Sequence, residues 1–172
     1  EVYRLKTALE SHRWHPEGDA YEHTMLVLTQ ASVQNFDFDS TYAALVHDFG
    51  KGLTPRDKLP KHYGHDVKGV AVVEEFSNRL TVPAKTRDRA MKATRYHMYG
   101  HKLKELNPKT FVKMFDDMGI LNDPMSADVL YNVFCCDCRG RLGSENEDLS
   151  HLTAFLDKVS AYKSVKFVYV FP

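Results

Sequence analysis

A histidine and an aspartate stand side by side where an apolar helical run stops: Tyr42-Ala43-Ala44-Leu45-Val46-His47-Asp48-Phe49-Gly50-Lys51-Gly52. Leu45 and Val46 suit a buried helix, whereas an unpartnered buried charge costs roughly several kcal/mol. A hydrogen-bonded His–Asp pair would meet that cost. So would a shared divalent metal, since both side chains are good ligands. Two more polar residues on apolar helices favour the metal: His23 on an earlier helix and Asp137 among the cysteines of a later one. His23, His47, Asp48 and Asp137 form a mixed nitrogen and oxygen set. That set suits Mn, Fe, Co, Ni or Zn better than Ca, and Mg is the weaker fit. A metal there would serve attack of water on a phosphate ester, because it lowers the pKa of bound water from about 15.7 to about 7. Lys51 and Arg141 are cations able to hold phosphate oxygens, with Arg139 as a further cation on another face of its helix. His65, His97 and His101 have three readings: a second metal site, a proton source for the leaving oxygen, or surface histidines.

The elements that must position these residues read as helices throughout. Val2, Leu5 and Leu9 predict a short amphipathic helix over 1–13, and Asp19 can cap a second helix over 20–34. That second helix is expected to turn Met25, Leu26, Leu28, Ala31 and Ser32 to the core. Asp37 to Ser40 make a capped turn into the central helix, 40–49, with Gly50 as its C-cap. Residues 53–62 form a Pro- and Lys-containing loop at the mouth of the site. A helix from His65 to about Leu80 follows, with Val70, Val73 and Phe76 inward, and then a basic helix over 84–101. There His97 and His101 are expected one turn apart on one face. Asn107-Pro108 and Asp123-Pro124 open two more helices, the second ending at Gly143, and 148–163 is the last. The tail over 165–171 reads as strand-like.

With 172 residues and 19.7 kDa, the chain suits one domain of residues 1–172. Its 23 basic and 23 acidic residues balance, so any nucleic-acid contact has to be local. No run of about 20 apolar residues exists to span a membrane. Cys135, Cys136 and Cys138 are odd in number and clustered, which is poor disulfide material and points to a reducing, cytoplasmic setting. They read as small buried helix residues, since a zinc ribbon needs a second C-x-x-C pair. The absent initiator Met suggests a trimmed terminus or a piece of a longer chain.

The order His…His-Asp…Asp resembles the HD-domain metal-dependent phosphohydrolases. More narrowly, it resembles the HD domain that follows the catalytic head of bacterial CCA-adding tRNA nucleotidyltransferases. The resemblance lies in His15-Pro16-Glu17-Gly18-Asp19 with Glu22-His23-Thr24, in residues 44–55, and in Lys61-His62-Tyr63-Gly64-His65. It continues through Tyr96-His97, His101, residues 106–110 and Asp137-Cys138-Arg139-Gly140-Arg141-Leu142-Gly143. It implies an all-α fold, an HD-domain helical bundle of about seven or eight helices, with His23, His47, Asp48 and Asp137 as ligands. The implied activity is hydrolysis of 2′,3′-cyclic phosphates and removal of 2′- or 3′-phosphate from nucleotides or RNA 3′ ends, with tRNA among the candidate partners. Nucleotide addition needs a head with Gly-Ser and a following Asp-x-Asp. Asp37-Phe38-Asp39 has only the second spacing and reads as a helix cap, so either the chain works alone or the head is left out. Two alternatives remain. One is a phosphohydrolase of deoxynucleotides or of cyclic nucleotide signals. The other is a tRNA-binding body with a structural metal, for which the basic helix would be the contact.

Overall fold

The computed structural model describes the backbone of residues 1–170 and side chains through Val165. Among the described residues eight α-helices follow one another: α1 (Val2–Leu5), α2 (Ala20–Val33), α3 (Phe38–Val46), α4 (His65–Arg79), α5 (Ala84–Tyr96), α6 (Pro108–Met118), α7 (Met125–Arg139) and α8 (Thr153–Val170). Shorter 3-10 segments cover Phe49–Leu53 and His97–Glu105. Among the described residues there is no strand, and the fold is an all-α bundle. No helix among them is long and apolar enough to cross a membrane.

The caps fall where short polar side chains precede apolar runs. Asp19 accepts from the backbone N–H of Tyr21 and Glu22, Asp37 from Ser40, and Asn107 from Thr110. Asp37-Phe38-Asp39 is thus structural: Asp37 caps α3, while Asp39 bonds Thr86 and Arg89. Helices α3 and α4 both pack on α5, and α7 closes over α2, α3 and α5. A second set of contacts joins the far end, where Phe115, Phe134, Phe155 and Tyr162 meet edge to face across α6, α7 and α8.

Several expected boundaries shift, each for a tertiary reason. Residues 1–13 are helical only to Leu5. Beyond it, Leu9 pairs with Asp19 in an antiparallel bridge and is 54% exposed, so the chain turns back and places Glu10 inside. The fully buried residues of α2 are Ala20, His23, Thr24, Val27, Gln30 and Ala31; of the expected set Ala31 is among them, Met25, Leu26 and Leu28 are half-buried and Ser32 is exposed, because His23 is anchored on Asp137. Gly50 is no C-cap. Helix α3 ends at Val46, and Gly50 lies in the next 3-10 turn, where a Cβ would stand 2.0 Å from the His65 carbonyl oxygen and 2.8 Å from Gly69 N. The strand-like tail instead prolongs α8 to Val170, which satisfies backbone groups a lone strand would leave open. Phe171 and the side chains after Val165 lie outside the described residues.

The basic helix α5 spends its charge internally. Arg87 bonds Asn78, Lys92 bonds Asp88, Arg95 bonds Asp66, and Arg89 bridges Asp39 and Asp123. Of its five cations, only Lys85 has no such bond among the described residues. The Arg89 side chain is 12% exposed, and its two carboxylates 17% and 24%. Arg89→Met should therefore cost about 2 kcal/mol of stability, read by chemical denaturation at pH 7. Arg89 holds the Asp123 carboxyl down at about 2 against an ordinary 3.8. A depressed folded pKa stabilises above the unfolded value and loses that contribution as pH falls through the folded one. The gap between the parent and Arg89→Met should therefore shrink between about pH 4 and pH 2. A gap constant over that window would rule out the ion pair as its source.

Candidate metal centre

The site forms where α2, the end of α3, the start of α4, the 3-10 segment after α5 and the last turn of α7 converge. His23, His47, Asp48, His97 and Asp137 are all at most 4% exposed, and His65 is 7% exposed. Asp48 stands at the centre. Its Oδ2 lies 3.3 Å from His47 Nε2 and 3.8 Å from His23 Nε2, and its Oδ1 lies 3.3 Å from both His65 Nε2 and His97 Nε2. Asp137 reaches His23 Nε2 with Oδ1 at 3.1 Å and His101 Nε2 with Oδ2 at 2.9 Å. All four residues expected as ligands thus come together.

Three of the imidazoles are oriented by the backbone. His47 Nδ1 donates to Ala44 O at 2.7 Å, His65 Nδ1 to His62 O at 2.8 Å, and His97 Nδ1 to Thr94 O at 2.8 Å. Because a carbonyl only accepts, Nδ1 carries the proton, and in each neutral ring Nε2 offers a lone pair toward Asp48. His47 Nε2 and Asp48 Oδ1 are buried with no hydrogen bond. Buried acceptor atoms left without partners are costly unless something binds them. Two fully buried donor triads lie within metal-ligating reach, His23–His47–Asp48 and Asp48–His65–His97, sharing Asp48; a third, half-buried one is His15–Glu17–His23. These residues fit a divalent metal: imidazole and carboxylate donors, converging, buried and already oriented.

The carboxylates govern the electrostatics: against their burial, Asp137 and Glu17 raise the His23 imidazole to about 9, and Asp48 raises His65. Burial alone would raise the Asp48 carboxyl, but Lys51 and His47 outweigh it and hold it well below the usual range. Asp137 is held low in the same way, against its burial, by His101 and His23. Asp137 in turn raises the His101 imidazole to about 10. His97 is pushed below its ordinary value by burial, which keeps it neutral as a ligand must be.

The three unassigned histidines divide. His65 and His97 approach each other at 3.1 Å between Nε2 atoms and share Asp48 Oδ1, whereas His101 pairs with Asp137 and its side chain is 33% exposed. They do not present one helical face. The α-helix gives way to a 3-10 turn after Tyr96, and at three residues per turn a four-residue spacing is offset by about 120°. Lys51 is buried with Nζ 2.6 Å from Asp48 and 2.7 Å from Glu10, so two carboxylates occupy it. Arg141 lines the cavity above the cluster and pairs with Glu147 at 2.9 Å. Arg139 is not in that lining; its Nε donates to Glu147 O. The cysteines are buried and unpaired, and burial pushes the Cys135 thiol up to about 11.

Two carboxylates escaped the sequence reading as site residues. Glu10 neutralises Lys51 from inside the fold. Glu17 receives hydrogen bonds from His15 at 2.9 Å and His23 Nδ1 at 3.0 Å, the support that fixes a ligating imidazole. Glu17 stood in a quoted motif, and its position six residues before His23 was the available signal; Glu10 had none.

A buried His/His-Asp/Asp cluster at the meeting point of an all-α bundle defines a class, and the comparison with family models agrees. The HD domain model matches residues 20–162, so the chain belongs to the HD-domain family of metal-dependent phosphohydrolases. Among curated proteins it is similar to the multifunctional CCA protein of Acinetobacter baylyi, 37% identical over 153 residues, covering 89% of this chain and 37% of that protein. It is likewise similar to those of Mannheimia succiniciproducens, 41% identical over 150 residues (84% and 36%), and Actinobacillus pleuropneumoniae serotype 5b, 40% over 174 residues (98% and 42%). The chain spans about two fifths of the length of these relatives.

Proposed function

We propose that the chain hydrolyses 2′,3′-cyclic phosphates and 2′- or 3′-phosphomonoesters of nucleotides or RNA 3′ ends, tRNA included. The observation that carries this reading is the Asp48-centred cluster opening into a cavity of about 610 Å³ that also holds Lys51, His101 and Arg141. Kinship with proteins named multifunctional CCA proteins supports the RNA-end substrate. The similarity leaves their other activities outside this proposal.

His23, His47, Asp48 and Asp137 would hold a first metal, and Asp48, His65 and His97 a second. Bound there, Mn, Ni, Co, Fe or Zn supplies Lewis-acid activation of water and neutralises phosphate charge. The chain's own residues do the rest. Glu17 holds the proton on His23 Nδ1, leaving Nε2 for ligation, and Lys51 offsets the Asp48 and Glu10 carboxylates. Arg141 Nη2, steadied by Glu147, reaches the cavity as a phosphate clamp. His101 carries a proton on Nε2 beside Asp137, at the cavity, where a leaving oxygen would need one.

Purified protein supplied in turn with Mn, Ni, Co and Mg should open adenosine 2′,3′-cyclic phosphate to a monophosphate, with weaker action on deoxynucleoside triphosphates. Arg141→Met should raise KM or lower kcat by about 10-fold at unchanged metal content. Efficient cleavage of triphosphates with cyclic nucleotides untouched would replace this reading with the deoxynucleotide one.

A further inference from the structure

The cavity over the cluster has a second wall that the phosphate chemistry leaves unused. Trp14, Pro60, Tyr63 and Met98 line it, and Trp14 and Tyr63 are 59% and 74% exposed. Single exposed apolar side chains are ordinary. Two aromatics on the rim of a cleft with a charged floor are different, because they give the cleft an apolar side and a polar side. That division suits a ligand with a phosphate at one end and a flat ring at the other.

The rim is built before any ligand arrives. The Arg13 guanidinium lies 4.9 Å over the Trp14 indole, occupying one face, while the exposed ring still lines the cavity. Trp14 N donates to Ser11 O at 2.9 Å, and the adjacent His15 is bonded to Glu17. Tyr63 comes from another part of the chain, and its neighbour His62 ties that part to Leu9, five residues before Trp14. His62 Nε2 donates to Leu9 O at 3.0 Å and Nδ1 accepts from Thr54 Oγ1 at 2.7 Å. A rim fixed in this way loses little freedom on binding.

We propose that Trp14, with Tyr63, forms a stacking platform for the nucleobase, so that the site selects nucleoside phosphates over phosphate esters lacking a ring. This rests on the nucleotide phosphohydrolase reading above. Stacking on aromatics tolerates any base, since every base has a π face, which suits RNA ends of varied sequence.

Trp14 is the chain's one tryptophan, so its emission reports on the platform directly. In metal-loaded protein, excited beyond adenine absorption, adenosine 2′,3′-cyclic phosphate and adenosine should quench it, and glycerol 2-phosphate should not. Trp14→Ala should raise KM for the cyclic nucleotide about 10-fold with kcat little changed, leave glycerol 2-phosphate kinetics as they were, and be largely rescued by Trp14→Phe. Emission that ignores a nucleotide the protein hydrolyses would overturn the platform and leave the hydrolase reading intact. Equal quenching by glycerol 2-phosphate would overturn it too, since the indole would then be sensing phosphate. Quenching by adenosine in a protein that hydrolyses no nucleotide phosphate would uphold the base site and end the hydrolase reading.

Discussion

Asp48→Asn should strip the protein of bound metal and reduce phosphohydrolase turnover at least about 1000-fold. Asp48 belongs to both fully buried donor triads, so one change removes an anionic ligand from each. The loss expected is a fraction of the roughly 12 kcal/mol represented by moving the pKa of water from about 15.7 to about 7. The substitution keeps the side chain's shape, and Lys51 retains Glu10 as partner, so the thermal unfolding midpoint separates lost chemistry from lost fold. Metal content by elemental analysis should fall with activity. Full activity in chelator-treated parent protein would end the metal-hydrolase reading.

Gly50→Ala should destabilise the fold by about 3 kcal/mol or more, lowering the thermal midpoint by roughly 6–12 °C for a chain of this size. The added Cβ would lie 2.0 Å from His65 O and 2.9 Å from Gly69 Cα. Both are backbone atoms of α4, so no rotamer change relieves the clash and the helix has to move away. That helix carries His65, whose Nε2 lies 3.3 Å from Asp48 Oδ1, so metal affinity should fall along with stability. An unchanged midpoint and unchanged metal binding in Gly50→Ala would contradict the close approach of the two segments.

What the sequence determined by itself was which donor side chains are gathered in the interior. A His-Asp pair ending an apolar helix, with His23 and Asp137 on two other apolar helices, is intelligible without coordinates, because buried ionisable groups need partners and these prefer a metal. Helix α7 was legible from its apolar residues, although it stops at Arg139 with Gly140 as its cap and not at Gly143, and the caps at Asp19, Asp37 and Asn107 were legible because their physics is local. Tertiary structure decided how the groups are shared. His23 and Asp137 meet across 114 residues, and Lys51 and Glu10 across 41, and no local periodicity encodes such pairings. His97 and His101 differ only by the switch from α to 3-10 geometry after Tyr96, which sends one to Asp48 and the other to Asp137. Even Gly50, legible as a helix stop, takes its meaning from α4 lying against it, since a missing side chain matters only where another backbone fills the space.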